Sequence, residues 1–142
     1  MNEQIVYDFG PAVAVLRPCT EATAQKAGQL VAALRDAAAD GVPQEHEELS
    51  WHGRVRFCLQ HGFAAEVVVQ TPEGTTGNPF AVVLALPDAM NPGRALLLAC
   101  EVAGQEDAYK PAMLQAARDW AASRGLELGR LVRVVREDWV VV

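Results

Sequence analysis

The segment 47–60, EELSWHGRVRFCLQ, has the most regular hydrophobic pattern in the 142-residue chain. Apolar and polar residues alternate along it, and five apolar residues share one side of an extended backbone: Leu49, Trp51, Val55, Phe57 and Leu59. A period of two is typical of a β-strand with one face on a core and the other in solvent. The pattern therefore predicts a half-buried strand from Glu47 to Gln60.

Three further strands are predicted after this segment. His61-Gly62 forms a short turn, and apolar runs follow at 63–70, 80–86 and 95–102. The residues between these runs include Asn91-Pro92-Gly93, which is typical of a turn. Because consecutive strands with short connections usually pair, these segments predict an antiparallel meander.

The flanking segments predict two helices and three more strands. Short apolar runs at 5–9 and 12–16 indicate a hairpin. Residues 21–40 and 108–124 have apolar residues at helical spacing, and a glycine follows each of them. Residues 128–142 predict a last strand, whose irregular alternation requires a bulge or a break into two short strands.

These elements have the order ββαββββαβ and predict a single α+β domain over residues 1–142. The simplest arrangement is a mainly antiparallel sheet of about six to seven strands with two helices packed on it. Charges on one side of the meander favour one covered face and one open face. The element order resembles that of the small α/β sandwiches that include bacterial secretion-effector chaperones.

The composition argues against several classes of function. The formal net charge is −6, whereas nucleic-acid and anionic membrane surfaces require a positive field. The three cysteines are odd in number and widely spaced, so free thiols in a reducing compartment are expected. Neither a signal peptide nor an apolar segment of about 20 residues is recognisable. A cytoplasmic location is therefore expected.

Two groups of residues are candidates for metal or thiol chemistry. The potential metal ligands are His46, Glu47, His52, Cys58 and His61. On a strand, His52 and Cys58 would be about 20 Å apart, which is too far for one ion. Cys19 precedes the first helix, whose N-terminus could lower the pKa of its thiol. Because nucleotide-binding, hydrolase and metalloprotease motifs are absent, we predict no catalytic residue, no metal and no cofactor.

Polar residues around the hairpin turn are the remaining candidates for binding. Glu66 lies mid-strand, and Arg54 or Arg56 of the preceding strand is within reach of its carboxylate. One interpretation is an exposed cross-strand ion pair, which would contribute little to stability. The other is a polar binding face made by Glu66 with His52, Arg54 and Arg56. Trp139, near the end of the chain, could contact another chain.

These patterns favour a non-enzymatic protein-interaction module, because they contain a valine-rich terminal strand and an open sheet face but no catalytic constellation. The specific hypothesis is a bacterial immunity protein or effector chaperone that forms a homodimer. Another protein or a second copy is then the partner, without nucleic acid or membrane. The alternative is a small enzyme or small-molecule-binding protein with a pocket between sheet and helices.

Overall fold

The computed structural model describes the backbone of residues 3–36, 45–74, 76–135 and 138–141, and the side chains of residues 3–35, 48–74 and 76–129. These ranges contain three helices and seven strands. In chain order they are β1 (Gln4–Asp8), β2 (Val13–Pro18), α1 (Ala24–Asp36), α2 (Glu45–His61), β3 (Phe63–Gln70), β4 (Ala81–Pro87), β5 (Arg94–Val102), α3 (Glu106–Ser123), β6 (Glu127–Val135) and β7 (Asp138–Val141). No helix in these ranges is long and apolar enough to cross a bilayer.

The seven described strands form one sheet, in which the spatial order follows the chain order from β1 to β7. Neighbouring strands are antiparallel except β5 and β6, which are parallel. Helix α3 connects this pair, and such a crossover is the usual link between parallel strands. The α+β class is therefore confirmed, but the sheet is mixed and not the mainly antiparallel sheet that the sequence predicts.

The segment 47–60 lies in helix α2, so its assignment to a strand is wrong and the described helices number three, not two. Trp51, Val55 and Cys58 are buried and lie on one side of the helix. Leu49 and Phe57, which alternation assigns to the core, are 62% and 52% exposed. The segment thus has two overlapping periodicities, and packing against α1 selects the helical one.

Helices α1 and α2 approach closely because α1 has a glycine where they cross. A Cβ atom added to Gly28 would lie 2.5 Å from the backbone nitrogen of His52. Real Cβ atoms essentially never make contacts this short. The absence of a side chain at Gly28 therefore sets the distance between the two helices.

Helices cover both faces of the sheet. On one face, α1 and α2 contribute Val31 and Trp51 to a cluster with Val82 and Leu98 of the strands. On the other face, α3 contributes Met113 to a second cluster. Strands β3 and β4 are consequently buried along most of their length. The predicted open face is wrong for the described residues, because the charged side chains assigned to it lie on α2.

Candidate functional site

The parallel strands β5 and β6 separate partway along their length. They pair from Arg94 to Leu97 on β5 and from Glu127 to Leu131 on β6. Beyond these residues β5 continues alongside β4, whereas β6 pairs with β7 from Val132 onward. Within the described residues, the C-terminal half of β5 therefore has a free edge toward β6. Sheets with parallel strands commonly bind ligands in a crevice at the carboxyl ends of those strands.

A β-bulge at Leu98 accompanies this separation. Leu84 of β4 is opposite Ala99, and the next residue, Ala85, is opposite Leu97, so Leu98 is an extra residue on β5. An extra residue bends its strand and increases the local twist. Because the bulge lies where pairing with β6 ends, we attribute the separation of the two strands to it.

Arg35, in the last turn of α1, contacts β5 at this point. Its Nη1 donates a 2.9 Å hydrogen bond to the carbonyl oxygen of Leu98, and its Nε lies 3.3 Å from Oε1 of Glu101. The guanidinium carbons of Arg35 and Arg54 lie 5.4 and 4.6 Å from the ring centroid of Trp51. Both distances are within the range of cation–π contacts. These contacts join α1, α2 and β5 at the bulge.

A cavity of about 300 Å³ lies between α2 and the sheet beside this group. Its lining residues come from α2, β4 and β5: Ser50, Gly53, Arg54, Phe57, Leu86 and Leu98. Small-molecule sites are mostly apolar, have a few polar groups and measure about 300–1,000 Å³. The cavity fits this description at the small end of the range, with polar groups from Ser50 and Arg54.

Glu101 lies on β5 three residues after the bulge and is paired with Arg35. Burial raises the pKa of its carboxyl group above the usual 4.5, and the charge of Glu106 adds to this rise. The positive charges of Arg35 and Lys110 oppose it. A carboxylate with a raised pKa accepts a proton more readily.

The structure does not bring Glu66 together with the arginines predicted to pair with it. Glu66 is fully buried in β3, and its Oε2 accepts hydrogen bonds from Nε and Nη2 of Arg17 on β2 at 3.1 and 3.0 Å. Arg54 and Arg56 lie on α2, where Nε of Arg56 is 3.0 Å from Oε2 of Glu21. The predicted partner is therefore wrong, because the segment that carries both arginines is helical.

The other predicted binding residues lie in different surroundings. His52 is half-buried on α2, where its backbone contacts α1 at Gly28. Arg54 lines the cavity and also has interactions beyond its contact with Trp51. Trp139 lies in β7, and its side chain is outside the described residues. Among the predicted residues with described side chains, only Arg54 lines the cavity beside α2.

All three cysteines are buried, and the hypothesis of a reactive thiol at Cys19 is wrong. Burial, and next the negative charge of Glu66, raises the pKa of the Cys19 thiol well above its usual value. Burial also raises the pKa of Cys58 to about 12 and that of Cys100 to about 11. The N-terminus of α1 does not lower the pKa of Cys19, because the helix begins only at Ala24.

The potential metal ligands are not gathered at one point in the described part of the chain. No group of three or more His, Cys, Asp or Glu side chains there could hold an ion. Cys58 is buried, whereas His61 is exposed with its ring centroid 4.7 Å from that of Phe57. The side chains of His46 and Glu47 lie outside the described residues.

Sequence reasoning missed the group formed by Arg35, Leu98 and Glu101. The three residues come from a helix end and from two positions of one strand, and a bulge has no clear sequence signature. One signal was available, because Glu101 follows the apolar run 95–100 and a partly buried carboxylate requires a partner. That signal predicts a cation near Glu101 but does not identify Arg35.

Comparison with known proteins shows which fold this is. No protein-family model and no curated protein matches the chain. The chain is similar to a structure from Desulfovibrio desulfuricans assigned as an acetyltransferase of the GNAT family, with 17% identity, a TM-score of 0.54, and coverage of 84% of this chain and 71% of that chain. It is also similar to an acetyltransferase from Trypanosoma brucei, with 15% identity, a TM-score of 0.47, and coverage of 83% of this chain and 81% of that chain.

The first of these similarities shows a shared fold, an α+β arrangement with a mixed sheet and helices on it. It overturns the prediction of a non-enzymatic interaction module, such as an immunity protein or effector chaperone, because the structure that shares this fold is assigned as an acetyltransferase. The alternative prediction, a small enzyme or small-molecule-binding protein with a pocket between sheet and helices, is the better supported one. Pairing with another protein or with a second copy stays a prediction.

Proposed function

We propose that this protein is a small enzyme that binds an acyl compound beside α2 and transfers its acyl group to an amine. The observation that carries the proposal is the separation of β5 from β6 at Leu98, next to an apolar cavity. A fold shared with an acetyltransferase supports this class of reaction.

The cavity binds the apolar part of the ligand. Phe57, Leu86 and Leu98 line it, and each removes apolar surface of the ligand from water at about 25 cal/mol per Å². The acyl carbonyl then lies toward the free edge of β5. Backbone N–H groups on an unpaired strand edge can donate to the carbonyl oxygen, and they stabilise it most when it becomes negative in the transition state.

Glu101 accepts the proton that the reaction releases. A bond forms between the amine nitrogen and the acyl carbon, and the bond from that carbon to its leaving group breaks. The amine proton passes to the Glu101 carboxylate, directly or through one water, and then to the leaving group. Arg35 is a positioning residue, since its ion pair with Glu101 holds the carboxylate beside the bulge.

A cavity-filling variant tests the binding part of this proposal. Gly53 lines the cavity, and nothing lies within 4 Å of a Cβ atom built on it, so Gly53→Leu adds apolar volume at the cavity wall. Gln60→Leu, at an exposed position of the same helix, is the matched control. The probes are S-acyl thioesters of N-acetylcysteamine with acyl chains of increasing length, and binding is followed by NMR chemical shifts.

We expect the wild type and the control to bind the longer thioesters, and Gly53→Leu to bind them about tenfold more weakly, a loss of about 1.4 kcal/mol. Glu101→Gln should keep the affinity but slow acyl transfer to an amine by about 10²–10⁴-fold. The proposal fails if no thioester binds, or if Gly53→Leu binds as well as the wild type does.

A further inference from the structure

The N-terminus of α3 lies at the C-terminal end of β5, where β5 is no longer paired with β6, because only residues 103–105 connect the two elements. Acetyl groups are commonly carried by coenzyme A, which contains an anionic nucleoside diphosphate. A helix N-terminus that follows a parallel strand is a frequent binding place for such a group. Binding of a diphosphate therefore depends on the side chains and N–H groups in the first turn of α3.

The charges in this turn have the wrong sign for an anion. Glu106 and Asp107 are both in the first turn of α3. The basic side chain one turn later, Lys110, has its Nζ 3.1 Å from Oε2 of Glu106 and is paired with it. A diphosphate here would face two carboxylates, whose negative charge opposes the attraction of the helix dipole for an anion.

The cavity at this point also lacks a basic side chain. It measures about 640 Å³ and is lined by Tyr7, Gly104, Gln105, Glu106, Asp107 and Ala108. Its charged lining residues are therefore both carboxylates. Phosphate sites ordinarily depend on Arg or Lys side chains as well as on backbone N–H groups.

The backbone N–H groups of the turn are partly occupied. The N–H of Glu106 donates to the carbonyl oxygen of Gly104 at 3.0 Å, and that of Ala108 donates to the carbonyl oxygen of Gln105 at 3.2 Å. An anion at a helix N-terminus needs such N–H groups to point at it. The two carboxylates, the absence of Arg or Lys from the described cavity lining and the occupied N–H groups all indicate that the residues present do not fit a diphosphate.

We infer that the acyl compound bound by this protein is not attached to a nucleoside diphosphate, and that the part facing α3 is neutral or cationic. This inference rests on the proposed function, because it concerns the ligand of the same site. By this inference, the protein differs in its acyl donor from enzymes that take an acyl group from coenzyme A. The expected donor is a small thioester or ester that carries no nucleotide.

The test compares coenzyme A with the acyl thioesters of N-acetylcysteamine by NMR titration at physiological ionic strength. For the wild type, we expect no shift of the amide signals of residues 104–108 with coenzyme A at about 1 mM, whereas a thioester shifts signals at the cavity beside α2. Glu106→Gln/Asp107→Asn should bind inorganic diphosphate about three- to thirtyfold more tightly than the wild type does.

A matched control removes the same charge elsewhere. Glu73→Gln/Asp119→Asn changes two exposed carboxylates away from the first turn of α3, and it should alter diphosphate affinity by less than about twofold. The inference is overturned if wild-type protein binds coenzyme A more tightly than about 100 μM, or if the α3 variant gains no more affinity than the control. Failure of the proposed function looks different, because then no acyl thioester binds at all.

Discussion

Replacing Arg17 with methionine should destabilise the folded chain by about 3–5 kcal/mol near neutral pH, because it leaves the buried Glu66 carboxylate without its cation. Glu66 has no exposed surface, and both of its hydrogen bonds come from Arg17 to Oε2, at 3.1 and 3.0 Å. Oε1 has no hydrogen-bond partner among the described residues. The Cys19 thiol lies beside this carboxylate, but a thiol is a weak donor and does not replace a guanidinium.

Replacing the other partner of the ion pair, Glu66, should lower the free energy of unfolding by less. In Glu66→Gln the Arg17 side chain, which is 21% exposed, can still reach water, so we expect a loss of about 1–3 kcal/mol. The double variant Arg17→Met/Glu66→Leu replaces the ion pair by apolar side chains of similar volume. Such replacements range from neutral to stabilising by about 4 kcal/mol, so the double variant should be at least as stable as the wild type.

Urea unfolding followed by circular dichroism at pH 7 gives the free energy of unfolding and the m-value for all four proteins. Domains of this kind have about 5–15 kcal/mol of stability, so the expected loss in Arg17→Met is a large fraction of the total. A loss below about 1 kcal/mol, the range of exposed ion pairs, would refute the reasoning. A double variant no more stable than Arg17→Met alone would refute it as well.

Other changes test the packing and the titratable groups. Gly28→Ala should lower the free energy of unfolding by about 1–3 kcal/mol in urea titrations, because its Cβ would overlap α2, whereas Gly53→Ala on α2 should raise it by about 0.5–1 kcal/mol. The three buried thiols should resist iodoacetamide in the native protein at neutral pH and react after unfolding, as mass spectrometry can show; labelling of the folded chain would contradict their burial. Burial raises the pKa of Glu101 above 4.5, so its carboxyl group stays protonated in the folded chain at pH values where the unfolded chain has lost the proton. The contribution of Glu101 to stability is therefore present below pH 4.5 and is lost as the pH rises from 4.5 through the raised pKa. Glu101→Gln should remove that part of the pH dependence of the unfolding free energy, and an unchanged profile would argue against the raised pKa.

Local sequence signals predicted several elements close to their observed positions. The turn before Phe63 and the apolar runs that follow it correspond to β3, β4 and β5, because tight turns and β-branched runs favour strands wherever they lie. The pattern of 108–124 corresponds to α3, since its buried residues follow a helical spacing. The last segment was predicted to contain a bulge or a break into two short strands, and the structure has two strands, β6 of nine residues and β7 of four.

The candidate site was the least predictable part. The sequence pattern identifies Arg54, which lines the cavity beside α2, but predicts it on a strand. The pattern identifies neither Leu98 nor Arg35. Their roles depend on one extra residue in the pairing of β5 with β4, and register is a property of two strands that neither strand encodes alone.

The sequence by itself determined the α+β class, most strands and two of the helices, α1 and α3, because turn residues and apolar runs act locally. Only the tertiary structure decided that 47–60 is helical, since its apolar residues satisfy both a period of two and a helical face, and burial against α1 chooses between them. It also decided that Glu66 pairs with Arg17, and that β6 runs parallel to β5 and leaves it at Leu98. These features arise where segments distant in the chain meet. Their physical cause is packing between layers, and the sequence of a single segment does not predict that packing.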